Sequence, residues 1–203
     1  SSALLRVCRS NQCVGESELI LKNSRNRYGT SVIALHWLML VLLAAVYACM
    51  ELRGFAPKGS ELRANMKSLH FVLGLSVLAL VVVRLCVRWV AGAAPPIEPP
   101  MPRWPALLAR LMHVALYALM IAAPLLGWLA LSTAGKPVNL FGFALPLLTG
   151  TNEALAHPLK DLHETLATAG YALIGLHAAA ALLHHYVIHD NTFVRMLPGH
   201  GSQ

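Results

Sequence analysis

Charge is scarce in this sequence of 203 residues. Only 12% are Asp, Glu, Lys or Arg, where soluble domains carry about a quarter. With 57% apolar residues and a mean hydropathy of +0.59, the chain is neither disordered nor an ordinary soluble enzyme. Cysteine is sparse as well, and the four present do not make a disulfide scaffold. Cys8 and Cys13 lie near the N-terminus, while Cys49 and Cys86 fall near opposite faces of the spans described below, out of disulfide reach. No Cys-x-x-Cys-His occurs, which excludes covalent c-type haem attachment.

Acidic residues are the rarer sign: 9 against 16 Lys and Arg, for a net charge of +7. The cations flank apolar runs and are not interleaved with aromatics. They read as anchors at lipid headgroups, so lipid is an expected partner and nucleic acid is not.

Long apolar runs are what the chain has in quantity. Residues 1–29 contain no apolar core fit for a signal peptide and read as an N-terminal extension and lead-in. A membrane domain is expected over 30–198 and a short tail over 199–203. The first span, 30–50, would cover about 31 Å as a helix, enough for a bilayer. The second covers 69–90, with Arg84 and Arg88 late enough to snorkel. Pro-rich AAPPIEPPMPRWP (93–105) reads as a linker. The third span covers 106–131 with a kink expected at Pro124, and the fourth covers 162–188. A loop of about 30 residues between them, holding Gly135, Pro137, Gly142, Pro146, Gly150 and Pro158, is too broken to span. It is still apolar enough, through Leu140, Phe141, Phe143 and Leu147, to lie along the interface. The fold class is all-α, a four-helix transmembrane bundle.

Let side A be the side of the N-terminus. Arg25, Arg27, Arg84, Arg88, Arg103, Arg110 and Arg195 fall there, with Arg6, Arg9 and Lys22 of the extension. Side B holds Arg53, Lys58, Arg63, Lys67, Lys136 and Lys160. The excess makes side A the cytoplasmic one.

Ten histidines are more than headgroup anchoring requires. His163 and His177 are 14 residues apart, about 40° short of four helical turns, so both rings share a face about 21 Å apart along the axis. Unpaired imidazoles on a lipid-facing stripe are costly, so they should point inward and bind something. His36 lies near side A and His70 opens the second span near side B. His163 then lies near B and His177 near A. Two cross-helix pairs follow, His36 with His177 and His70 with His163, each able to clamp a flat macrocycle from both faces as bis-His ligands of a b-type haem. Gly74, Gly170 and Gly175 lie where porphyrins would need room, although such glycines also serve helix contact. Zinc is the next competitor, but a level with one imidazole per helix lacks clustered Cys, Asp or Glu. His113 lies nearly level with His36 and His177, and could replace either ligand, hydrogen-bond a propionate, or face a quinone.

Several motifs carry a family resemblance: RYGTSVIALHW (27–37), ELRGF (51–55), the stretch 70–84, HETLATAGYALIGLHAAAALLHHY (163–186) and DNTFVRMLP (190–198). In this order and spacing the chain resembles, over about residues 26–198, the bacterial four-helix di-haem cytochrome b561 proteins. The resemblance implies two haems b with His36, His70, His163 and His177 as axial ligands. It also implies a bacterial inner-membrane location with a cytoplasmic N-terminus. The six-helix ascorbate-linked members are not matched by this shorter chain.

A bis-His haem has no open coordination position and is built to pass electrons. At the B end, residues 51–67 carry four cations against two anions beside His70, a patch able to steer a small anion. Interface anchoring explains any single one of those cations equally well. At the A end, His184 lies seven residues beyond His177 on nearly the same face. With Arg84 and the linker it could border a quinone headgroup, while His185 reads as an interfacial side chain. The similar proteins act as superoxide:ubiquinone oxidoreductases, which makes superoxide the expected donor and ubiquinone the expected acceptor, with no partner protein required. The alternative is a haem b anchor subunit linking a soluble dehydrogenase or hydrogenase to the quinone pool. A haem-free proton or metal transporter is the third class.

Overall fold

Four helices dominate, each longer than the apolar run that predicts it: α1 (Thr30–Phe55), α2 (Glu61–Ala91), α3 (Arg103–Thr133) and α4 (Glu153–Leu183). All four are long and apolar enough to cross a membrane. The computed structural model describes residues 22–24, 27–137, 139–140 and 143–198. Cys8, Cys13, Phe141, Gly142 and the tail expected over 199–203 lie outside the described residues.

The extra turns are polar and gather on side B. ELRGF continues α1, and α2 starts eight residues ahead of its apolar run because Ser60 caps it, its side chain accepting the Arg63 N–H at 3.2 Å. Arg63 also draws the tight 56–60 connection together, its Nη1 donating to the carbonyls of Arg53 and Ala56 at 3.1 Å each. Pro158, expected in the loop, sits inside α4 near its start, where the missing N–H forfeits one bond to Ala154. Pro124 lies inside α3 as expected. The loop itself shortens to 134–152 and contains a two-residue antiparallel ladder, Asn139 opposite Ala144 and Leu140 opposite Phe143. The Asn152 N–H donates to the Thr133 carbonyl at 2.8 Å, which ties the loop to the end of α3.

The apolar core is Met39, Val77, Val81 and Met120, shared among α1, α2 and α3. α4 adds only Gly170 to the buried set. It packs along α3, as α1 does along α2, and these two hairpins meet mainly where α2 touches α3. Trp89 and Trp104, 87% and 76% exposed, flank the linker on side A as interfacial aromatics. Cys49 is buried and Cys86 exposed, and both are free thiols.

Side A is laced together by side chains. Trp37 Nε1 donates to the Met196 carbonyl at 2.8 Å, Arg27 Nη2 to that of Leu197 at 3.2 Å, and Arg195 Nη1 to that of Pro95 at 2.5 Å. Asn23, within the expected N-terminal lead-in, donates to the carbonyls of Gly92 and Ala93. Asn23 and Arg27 therefore tie the lead-in to the linker and to the C-terminal segment.

Candidate functional site

The histidines meet at two levels. Near side B, the rings of His70 on α2 and His163 on α4 have centroids 6.1 Å apart. Near side A, His36 on α1 and His177 on α4 are 6.3 Å apart. These are the two pairs expected from depth alone. Metal–imidazole bonds of about 2 Å on opposite sides of one ion place the ring centres about 6 Å apart, so both spacings suit two axial ligands of one iron. His113 on α3 stands 5.3 Å from His177, closer than such a pair requires. It is also more exposed than the other four, and its Nδ1 is committed to the Ala109 carbonyl at 2.6 Å.

At the B level, backbone carbonyls fix both rings. His70 Nδ1 meets the Val46 carbonyl at 3.2 Å and His163 Nδ1 the Ala123 carbonyl at 2.8 Å. A ring that gives its Nδ1–H to a carbonyl keeps Nε2 unprotonated and free for a metal. A cleft open on one side lies between them, lined by Phe71, Gly74, Pro124, Gly127 and Trp128 as well as the two histidines. Gly74 has open space where a Cβ would stand. At Gly127, a Cβ would come to 3.3 Å from the His163 ring. Sequence reasoning passed over Gly127; its signal is a glycine one turn beyond Pro124 in an otherwise bulky span.

At the A level a cationic donor, not a carbonyl acceptor, meets the ring of His36. Arg84, expected to snorkel, is instead buried at 8% exposure. Its Nε donates to the Tyr117 hydroxyl at 3.1 Å, Nη1 to the Val32 carbonyl at 3.3 Å, and Nη2 reaches His36 Nδ1 at 3.3 Å. The guanidinium finds partners on α1 and α3 that lie closer than the headgroups. Gly170, expected to leave porphyrin room, instead receives the Tyr47 hydroxyl, which donates to the Ala167 carbonyl at 2.9 Å. Gly175, like Gly74, faces open space.

His184 sits where α4 gives way to a π-turn (His184–Ile188), and Asp190 folds back onto it, Oδ2 2.5 Å from Nδ1. Arg84 reaches His36 and not this pair, so His184 and Arg84 are separate features. His185 packs edge-on against Tyr186 and tilted on Phe193, as an interfacial side chain does. Asp190 escaped sequence reasoning because residues six apart do not share a helix face.

The donor sets suit b-type haem. Imidazoles face one another, open space lies beside Gly74 near side B, and two buried arginine nitrogens, Arg53 Nε near side B and Arg195 Nε near side A, lack a partner among the described residues, as donors awaiting an anionic group would.

Comparison with known proteins agrees. The sequence model of the prokaryotic cytochrome b561 family matches residues 27–199. Cytochrome b561 homolog 1 of Escherichia coli K12 is 41% identical over 173 residues, 85% of this chain and 98% of the relative. The probable superoxide oxidase CybB of Yersinia pestis is 40% identical over 172 residues, 85% of this chain and 96% of its own. Cytochrome b561 homolog 2 of Escherichia coli K12 is 31% identical over 185 residues, 86% and 93% of the two chains. With four membrane-length helices and a match over nearly all of them, the chain belongs to the prokaryotic cytochrome b561 family, multi-pass bacterial membrane proteins that transfer electrons through b-type haem.

Proposed function

We propose that this protein oxidises superoxide to oxygen at side B and delivers the electrons, through two bis-His haems b, to ubiquinone at side A. Side A is then the cytoplasmic face of the inner membrane. The observation that carries the reading is the pair of facing imidazole couples at two depths, 6.1 and 6.3 Å between centroids. His36 and His177 hold one haem and His70 and His163 the other. A haem so ligated supplies one-electron transfer with no vacant position for oxygen to bind.

The chain's own contribution is placement and charge. The Val46 and Ala123 carbonyls hold the B-level rings with Nε2 inward. Lys58 and Lys67 are exposed on that side, while Arg63 is committed to the α1–α2 connection. These two lysines, with the exposed Lys136 nearby, are cations able to draw in a small anion. At the other end His184, held by Asp190, meets the quinone headgroup at the lipid boundary of α4. The likeness to a protein named a probable superoxide oxidase supports this choice of donor.

The test is kinetic. Superoxide generated beside the purified cytochrome should reduce it at least tenfold faster than an uncharged reductant of similar potential, and short-chain ubiquinone should reoxidise it. Equal reduction rates, or no reoxidation by quinone, sink the reading. A stable complex with a soluble dehydrogenase on native extraction would favour an electron-transfer anchor subunit instead.

A further inference from the structure

We propose that Asp190 positions His184 as the group that hands protons to the quinone as it is reduced. The inference rests on the quinone reading above and goes beyond it by assigning the proton path. The geometry is local and strongly determined. After the π-turn, His189 adopts a left-handed backbone (φ 59°, ψ 38°), unusual for a residue other than glycine, and the chain doubles back. The His184 carbonyl accepts from the backbone N–H of both His189 and Asp190. That reversal brings Asp190 Oδ2 to 2.5 Å from His184 Nδ1, while Oδ1 accepts the Thr192 N–H at 2.8 Å.

The segment is fixed from outside as well. The Asn191 N–H donates to the Glu98 carbonyl, and the Glu98 N–H donates to Asn191 Oδ1. Asp190 is thus anchored to the linker between α2 and α3. Its side chain is 3% exposed and that of His184 is 15%. Burial alone would raise the Asp190 carboxyl above its ordinary range, but hydrogen bonds from His184 and Thr192 overcome that and hold it below. The carboxylate is an acceptor only, so Nδ1 carries a proton and Nε2 is the nitrogen left to exchange one.

A quinone reduced to the hydroquinone takes two electrons and two protons. The electrons come from the cytochrome, which superoxide has reduced. His184 serves the nearer oxygen: its Nε2–H bond breaks as an O–H bond forms there, and Nε2 takes its replacement from side-A water, while the far oxygen takes its proton from water at the lipid boundary. Asp190 stays ionised throughout. It balances the positive ring before transfer and keeps Nδ1–H in place after it, a division of labour between carboxylate and imidazole known from hydrolytic triads.

The experiment compares wild type, Asp190→Asn, Asp190→Glu and His184→Gln, each as purified holoprotein with its haem-to-protein ratio measured. Reduced protein is mixed with short-chain ubiquinone or with ferricyanide, which accepts an electron and needs no proton. Quinone affinity is measured separately on oxidised protein by calorimetry. Asp190→Asn should retain haem, quinone affinity within about twofold and the ferricyanide rate, yet lose roughly 100-fold in quinone turnover. Asp190→Glu, which keeps the carboxylate, should recover most of that loss. Wild-type quinone turnover in Asp190→Asn alongside a slow His184→Gln overturns the role of Asp190 while leaving the quinone site standing. Equal losses with quinone and ferricyanide mean a merely structural aspartate and overturn it too. If His184→Gln matches wild type in both turnover and affinity, the quinone site itself is misplaced and both readings fall.

Discussion

The two histidine levels are built differently. Near side B, backbone carbonyls of α1 and α3 hold His70 and His163, and glycines leave the space between them. Near side A, His36 is held by the buried Arg84, and a third imidazole, His113, stands beside His177. Carbonyls belong to the helices and move only with them. A guanidinium brings a positive charge into a low-dielectric region, where it acts on any redox centre nearby. The B level is therefore set by packing and the A level by electrostatics, and one bundle can hold two chemically similar centres in distinct environments.

The largest effect should come from the ligands. Replacing His70 or His163 by Ala should empty the B level alone, and replacing His36 or His177 the A level alone. Each should take the haem-to-protein ratio from two to about one, read by pyridine haemochrome. His113→Ala should keep both haems, since its 5.3 Å approach to His177 is too close for a shared iron. Loss of an A-level haem in that variant would mean that α3, and not α1, supplies the ligand.

Next in size is Gly127→Ala. Alanine ordinarily stabilises a helix by about 1 kcal/mol over glycine. Here, however, the new Cβ stands 3.3 Å from a ring already tied to Ala123. Haem retention at the B level should fall while the A level keeps its own. Gly74→Ala, with open space before it, tests whether a bound macrocycle uses that space. It should lower B-level occupancy without lowering the stability of the haem-free bundle. Unchanged B-level haem in both variants would break the view that packing sets this level.

Arg84→Gln should produce a smaller, one-sided change. Removing the cation favours the oxidised, more positive state of the nearer centre, so the A-level midpoint potential should drop by roughly 50 mV, an equilibrium shift of almost tenfold. The B level should stay put. Potentiometric titration of the split absorption band separates the two. Equal shifts at both levels would mean that Arg84 acts through the fold and not through its charge.

Much of this was legible in the sequence, for physical reasons. Apolar runs of membrane length show themselves, and 14 residues between His163 and His177 fix a shared face and two depths once the spans are counted. The four histidines that depth placed in pairs do meet in pairs. Helix ends were less legible, because Ser60 and the 153–161 turns extend helices through polar sequence that hydropathy cannot recognise. Arg84 was misjudged, since a cation late in a span can snorkel or turn inward. Its inward partner Tyr117 lies 33 residues away on another helix. Gly170 looked like cofactor space until Tyr47, from α1, was found to occupy it. The fold back of Asp190 onto His184 depends on a π-turn and a left-handed histidine, neither of which has a spacing rule.

The smallest predicted effect separates the two ends of the bundle by pH. On side A, Asp190 links the end of α4 to its own return segment through a carboxylate held below its ordinary range. A group depressed in the folded state contributes its full stabilisation above its unfolded value of about 4, and loses it as pH falls through the lower folded value. Wild type should therefore outlast Asp190→Asn by a few degrees in thermal unfolding above about pH 5. The gap should narrow only below about pH 4. On side B, Arg63→Met removes ties to the carbonyls of Arg53 and Ala56, acceptors that do not titrate, so its deficit should stay flat over the same range. A gap for Asp190→Asn that is equally flat down to pH 3 would mean that the aspartate stabilises side A by shape alone. The distinction between a charged end and a backbone-held end would then fail at this site.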